Sequence, residues 1–175
     1  FLEMLHHDRK ILKRLNADWE QEHDDPKFDM FRDNLIDRFL DTSINPSGKL
    51  VLFSESVDTL DYLYERLTDE IGREDVLMVT ASNRRSMTQT IKENFDANND
   101  TCSNRYNIII TSDVLAEGVN LHRSNVIVNY DSPWNATRLM QRIGRVNRIG
   151  SVAPNIYNYM FYPSQQGDKE LQLYK

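Results

Sequence analysis

Short apolar runs alternate along this chain with stretches of helical spacing. The runs 50–53, 76–79, 108–110, 126–128 and 156–161 are too short for helices. The first four are apolar at consecutive positions, as strands buried on both faces are. Between the first two, Val57, Leu60, Leu63 and Leu67 keep a helical period, with Tyr64 beside them. Between the second and third, Met87, Ile91 and Phe95 do the same behind Ser86 and Gln89, whose spacing predicts a capping box opening that helix. Alternation of this kind predicts an α/β fold: three layers, with a mainly parallel sheet flanked by helices and ligands at the carboxyl ends of the strands.

Upstream of the sheet the same reading finds two amphipathic helices. Leu5, Leu12, Leu15 and Trp19 mark the first, Phe28, Phe31, Leu35 and Phe39 the second, with the acidic stretch 20–25 and Pro26 between them. Asn45, Pro46, Ser47 and Gly48 form a turn into the first strand. The expected organisation is a helical linker over 1–25, one domain over 26–162, and the start of a further extension over 163–175. The chain opens on Phe1, and 171–175 has the look of a helix beginning, so it is expected to be a piece of a longer polypeptide. There is no internal repeat, and 98–104 is a polar loop.

Between the fourth and fifth strands, Asn135 is a good N-cap and 136–143 a two-turn helix that stops at Gly144. Leu139, Ile143 and Val146 make an apolar seam, and Arg138, Gln141, Arg142 and Arg145 fall on stripes facing away from it, so the arginines are expected to point out of the core. On spacing alone a solvated basic face is the plainer reading. Two features weigh against it. Gly144 costs helix stability but allows close approach of a backbone or ligand, and these cations are concentrated in a chain with 21 lysines and arginines against 27 acidic residues, net charge −6.

That balance excludes a global basic field, so any nucleic-acid binding has to come from a local patch. At 175 residues the chain suits one domain with a full core. A single cysteine, Cys102, excludes an internal disulfide and fits a reducing compartment. No apolar run is long enough to cross a bilayer, so no membrane is expected as partner. Directly after the third strand, Thr111, Ser112, Asp113 and Gly118 put hydroxyls, free amides and a glycine where phosphate oxygens could bind; an ordinary strand-to-helix turn capped by Ser112 or Asp113 is the competing reading.

In order and spacing, residues 50–55, 111–121 and 141–148 resemble motifs IV, V and VI of the second RecA-like domain of superfamily 2 helicases. The run Tyr130, Asp131, Ser132, Pro133, Trp134, Asn135, followed by Gln141, Arg142, Gly144, Arg145 and Arg148, is most similar to the Swi/Snf-type branch and its bacterial RNA-polymerase-associated relatives. The resemblance covers roughly residues 29–161. It departs from the branch at Ala136, where proline is usual, at Ser151, where glutamine is frequent, and at Ala81 and Ser82, where a glycine is common.

The resemblance implies roles. Arg145 and Arg148 match arginine fingers that reach the γ-phosphate of ATP held by a partner lobe, where such a finger contributes about 10³ to 10⁵ in rate. Gln141, Gly118 and Asn120 match positions lining the nucleotide cleft. Ser54, Thr111 and Ser112 match positions at the nucleic-acid backbone, and Arg84 and Arg85 are weaker candidates for phosphate contacts. ATP and Mg2+ are expected to be held mainly by an amino-terminal RecA-like lobe of the same polypeptide, because this chain has no phosphate loop of its own. Ser47, Gly48 and Lys49 end like one, but Ser43 stands at the first glycine and Leu50 at the magnesium-binding hydroxyl. His6, His7, His23 and His122 lack metal-ligand spacing, and no metal site is expected. The expectation is therefore half an ATPase: the carboxyl-terminal lobe of a helicase or double-stranded nucleic-acid translocase, inactive in isolation, with DNA favoured over RNA as its track and the cytoplasm, or a bacterial nucleoid, as its location. A non-catalytic nucleic-acid-binding module and a protein-interaction scaffold are the alternatives.

Overall fold

The computed structural model of the chain describes residues 2–21, 24–116, 118–133 and 135–162. The expected extension over 163–175, with its incipient helix, lies outside them. Two compact units divide the chain, 1–33 and 34–175.

The first unit holds helix α1 (Leu2–Glu20) and most of α2 (Pro26–Asn34). No residue of α1 is buried; Leu12, Leu15 and Trp19 are all exposed. Pro26 opens α2 at the position where a missing N–H costs nothing, and the Asp25 carboxylate accepts the free backbone N–H groups of Lys27 and Phe28 at 3.0 and 2.9 Å.

In the second unit five strands, β1 (Leu50–Phe53), β2 (Val76–Val79), β3 (Ile108–Thr111), β4 (Val126–Asn129) and β5 (Tyr157–Met160), form one sheet in the order β2-β3-β1-β4-β5. Every neighbouring pair is parallel. β1, β3 and β4 are buried at all four positions, which is why they read as continuous apolar runs. Successive side chains of a strand face opposite ways. Val51, Phe53, Leu77, Val79, Ile109 and Ile127 share one cluster with Ile91 and Phe95 of α4 (Arg84–Phe95) and Val146 of α5 (Ala136–Val146). The alternate residues face the layer of α3 (Val57–Glu65), whose Leu60 and Leu63 are fully buried. The three-layer expectation holds.

Two local expectations are corrected. Ser86 and Gln89 form no capping box: α4 begins two residues earlier, Ser86 Oγ donates to the Asn83 carbonyl, and Gln89 donates to Glu93. The residue at the helix start, Asn83, spends its side chain elsewhere, accepting from Thr80 N and donating to the Met78 carbonyl. The second correction concerns α5, which passes through Gly144 and ends at Val146, three turns instead of two. Its N-cap is Asn135 as expected, accepting from Arg138 N at 2.9 Å.

Candidate phosphate-facing site

Helix α5 carries the candidate chemistry, and its angular arithmetic decides which arginine faces where. At 100° per residue, Arg142 lies about 40° from Val146 and Arg145 about 100°; Arg148 lies two residues past the end of the helix. Val146 is in the core, so Arg142 is drawn in with it. This overturns the expectation that all the arginines point outward: Arg142 is 0% exposed.

Arg142 ends in a prepared pocket at the carboxyl edge of the sheet. Its Nε donates to Asp113 at 2.6 Å, its Nη1 donates to Asn129 Oδ1 at 3.0 Å, and the guanidinium lies 5.0 Å from the centre of the Phe53 ring. Glu55 stands 3.9 Å from Nη2, an ion pair too long for a hydrogen bond. Arg138, one turn earlier, reaches the same two carboxylates at 3.3 and 3.6 Å. Asp113, expected in a phosphate-facing segment or as a helix cap, opens a 3-10 turn (Asp113–Ala116) and anchors both arginines. A pairing partner for a buried arginine was needed, but its position 29 residues away left no local signal.

The outward stripe is different. Gln141 and Arg148 are exposed and Arg145 half-buried. The Arg145 carbonyl accepts from Leu121 N at 2.9 Å, which ties the end of α5 to the segment after β3. Arg148 Nε donates to the Gly144 carbonyl at 3.2 Å and its Nη1 donates to Asn120 Oδ1. The structure thus brings Arg145, Arg148 and Asn120 together. At Gly144 an added Cβ would meet nothing within 4 Å among the described residues.

Gly118 has φ +85°, and a Cβ there would lie 2.8 Å from Arg84 Nη2. The close approach that this glycine permits is therefore made by an arginine of α4. Of the three hydroxyls expected at a nucleic-acid backbone, two are turned inward. Ser54 is fully buried and donates to Asp131 at 2.5 Å; Thr111 is fully buried and donates to the Val79 carbonyl at 2.9 Å. Ser112 is half-buried. No three His, Cys, Asp or Glu side chains converge as a metal site among the described residues. His122, fully buried beside Asp96, has its pKa held below the ordinary value by burial, which the Asp96 charge opposes and the Arg148 charge reinforces.

A family model for the helicase conserved C-terminal domain matches residues 12–150. This chain belongs to that family. Among curated relatives, the uncharacterized ATP-dependent helicase YqhH of Bacillus subtilis is 46% identical over 52 residues, 29% of this chain and 9% of that protein. The probable ATP-dependent RNA helicase ddx51 of Dictyostelium discoideum is 31% identical over 103 residues, 59% of this chain and 18% of that one. The ATP-dependent DNA helicase mph1 of Neurospora crassa is 23% identical over 124 residues, 70% of this chain and 11% of that one. The helicase domain described here thus spans less than a fifth of the length of each. The crystal structure of the C-terminal part of the Fun30 ATPase domain shares its fold with a TM-score of 0.65 over 98% of this chain and 54% of that one, at 19% identity. No helix among the described residues is long and apolar enough to cross a membrane.

Proposed function

We propose that this domain is the carboxyl-terminal motor lobe of an ATP-dependent helicase or nucleic-acid translocase, and that Arg145 and Arg148 complete an ATPase site whose nucleotide and Mg2+ are held by an amino-terminal lobe of the same polypeptide. The observation that carries this reading is the split between the arginines of α5 and the one just past its end. Arg142 and Arg138 are held by Asp113 and Glu55, whereas Arg148 is exposed like Gln141 and tethered to Asn120, with Arg145 half-buried beside it. A solvated basic face would need no such tether.

The chemistry follows from charge. In phosphoryl transfer the developing charge spreads over the phosphoryl oxygens, and a guanidinium delivered to them stabilises the transition state more than the bound ground state. Arg145 and Arg148 supply that charge, and Gln141 and Asn120 line the same cleft as neutral hydrogen-bonding groups. Gly118, with Arg84 lying on it, shapes the wall of the cleft beside them. Ser112, the half-buried hydroxyl of the three, provides a contact to a nucleic-acid backbone that ignores base sequence. The run at 130–135 favours the Swi/Snf-type branch, hence duplex DNA as the track.

The test is ATP hydrolysis by the longer protein with single-stranded DNA, duplex DNA or RNA added, beside its Arg145→Ala variant. We expect stimulation by duplex DNA and a fall of about 10³-fold or more in the variant, with ATP affinity little changed. Hydrolysis that survives Arg145→Ala would overturn the role, and stimulation by RNA alone would reassign the track.

A further inference from the structure

Arg148 is exposed, yet its guanidinium has a defined place, and the reason lies 52 residues earlier in the chain. We infer that Asp96 is a positioning residue for Arg148, acting through the amide of Asn120. The inference rests on the reading of Arg148 as a phosphate-facing cation.

Asp96 is the residue at which α4 ends. Its carboxylate is largely buried, and its two oxygens have separate tasks. Oδ1 accepts the backbone N–H of Asn98 at 2.9 Å, an Asx turn that closes the helix. Oδ2 accepts from Asn120 Nδ2 at 3.1 Å. An ionised carboxylate only accepts, whereas an amide has one donating and one accepting end. Asp96 therefore dictates which way the Asn120 amide points: the NH2 group is drawn inward, and Oδ1 is left facing out, where it accepts from Arg148 Nη1. With the amide reversed, Asn120 would offer a donor to a donor. Arg148 Nε donates to the Gly144 carbonyl, so two fixed acceptors define the plane of the guanidinium.

The base of this relay is rigid. Arg123 Nη1 donates to the carbonyls of Glu93, Asn94 and Ser103, and Arg123 N donates to the Phe95 carbonyl, clamping both sides of the segment that carries Asp96. The far end is held too. Ser151 Oγ accepts from Arg148 N at 3.1 Å and has the carbonyls of Val146 and Arg148 within reach of its one proton. His122 Nδ1 lies 3.6 Å from Asp96 Oδ1, beyond hydrogen-bond distance, and leaves the carboxylate to Asn98 and Asn120. A long exposed arginine ordinarily loses about 2 kcal/mol of rotamer freedom when it is immobilised. The relay arranges that loss before ATP arrives, and misplacement of a reacting group by about 1 Å can cost 10²-fold in rate.

The test uses Asp96→Ser in the longer protein. A serine hydroxyl can keep the turn bond to Asn98 N–H but is too short to reach Asn120, so the thermal midpoint should move by only a few degrees. We expect kcat for ATP hydrolysis to fall about 10- to 100-fold with KM nearly constant, as for an interaction made in the transition state. In an Arg148→Ala background the same substitution should cost less than about twofold, because the group it positions is gone. Unchanged kcat in Asp96→Ser, or an equal loss in both backgrounds, would overturn the relay while leaving Arg148 its role. If Arg148→Ala alone leaves kcat intact, the finger reading fails and the relay with it.

Discussion

Helix α5 and the turn that follows it use the same residue type for opposite purposes. On the helix, Arg142 is enclosed, bound to Asp113 and Asn129 and stacked on Phe53. Just past its end, Arg148 is exposed and steered by a neutral amide instead of a carboxylate. A carboxylate neutralises the cation it holds, so an arginine paired to Asp113 has little charge left for a phosphate. One hydrogen bond to an amide orients the cation and leaves its charge available. On our proposal, that difference separates an arginine that builds the domain, Arg142, from one that acts beyond it, Arg148.

The sharpest way to break this comparison is to exchange the consequences of losing each residue. Arg145→Ala should leave folding intact and remove turnover in the longer protein, the largest effect expected here. Arg142→Ala should do the reverse in kind: it removes a fully buried, hydrogen-bonded guanidinium from the half-buried Asp113, which keeps only Arg138, and should destabilise the domain by about 1.5–3 kcal/mol, read as a shift in denaturant midpoint. A midpoint that stays put would mean the pocket around Asp113 hydrates freely and Arg142 is no keystone.

Lys49 sharpens the contrast from another direction, as a buried cation bound to carbonyls. Its Nζ donates to the Tyr106 carbonyl and Asn107 Oδ1 at 2.8 and 3.3 Å and lies 5.0 Å from the Phe95 ring centre. Burial, reinforced by the Arg123 charge and opposed by Asp75 and Cys102, pushes its pKa from 10.5 down to about 8. A depressed lysine favours the neutral form in the folded state. Its contribution is fully present above pH 10.5 and is lost as pH falls to about 8. The stability of the wild type relative to Lys49→Met should therefore rise by about 3 kcal/mol between pH 7 and pH 10.5. A flat difference would show that the ammonium is solvated.

The smallest effect concerns Gly144, which lies between Arg142 and Arg148. Alanine there should stabilise the helix by about 0.5–1 kcal/mol, since nothing among the described residues opposes a Cβ. If the glycine leaves room for the other lobe or for ATP, that gain in melting temperature should come with lost turnover in the longer protein. Turnover that rises with stability would remove the reason to see a contact surface at this turn.

Much of this was legible in the order of residues. The strands could be read because a parallel sheet covered on both faces needs apolar side chains at consecutive positions, and β1, β3 and β4 have them. The Asn135 cap was legible because its partner, Arg138 N, is three residues away. The Ser86 and Gln89 signal failed although the groups involved are just as near. Asn83, at the start of α4, binds backward to Thr80 and Met78 instead of capping forward, so a pattern that looks only for a forward cap fell inside the helix.

The sequence by itself therefore determined what depends on neighbours: the period of each element, its apolar face, the caps and turns made within a few residues, and the motifs that mark the family. Tertiary structure alone decided the fate of each charged group, because the free energy of a cation depends on what surrounds it in space. Arg142 is buried since Asp113 and Asn129 converge on it from two other strands' ends, and Arg148 is aimed since Asp96, at the end of a different helix, turns the Asn120 amide. Those partners lie 13 to 29 residues from Arg142 and, for the Asp96–Asn120 bond, 24 residues apart. No periodicity reaches across such separations; only the folded sheet brings these groups within hydrogen-bond distance.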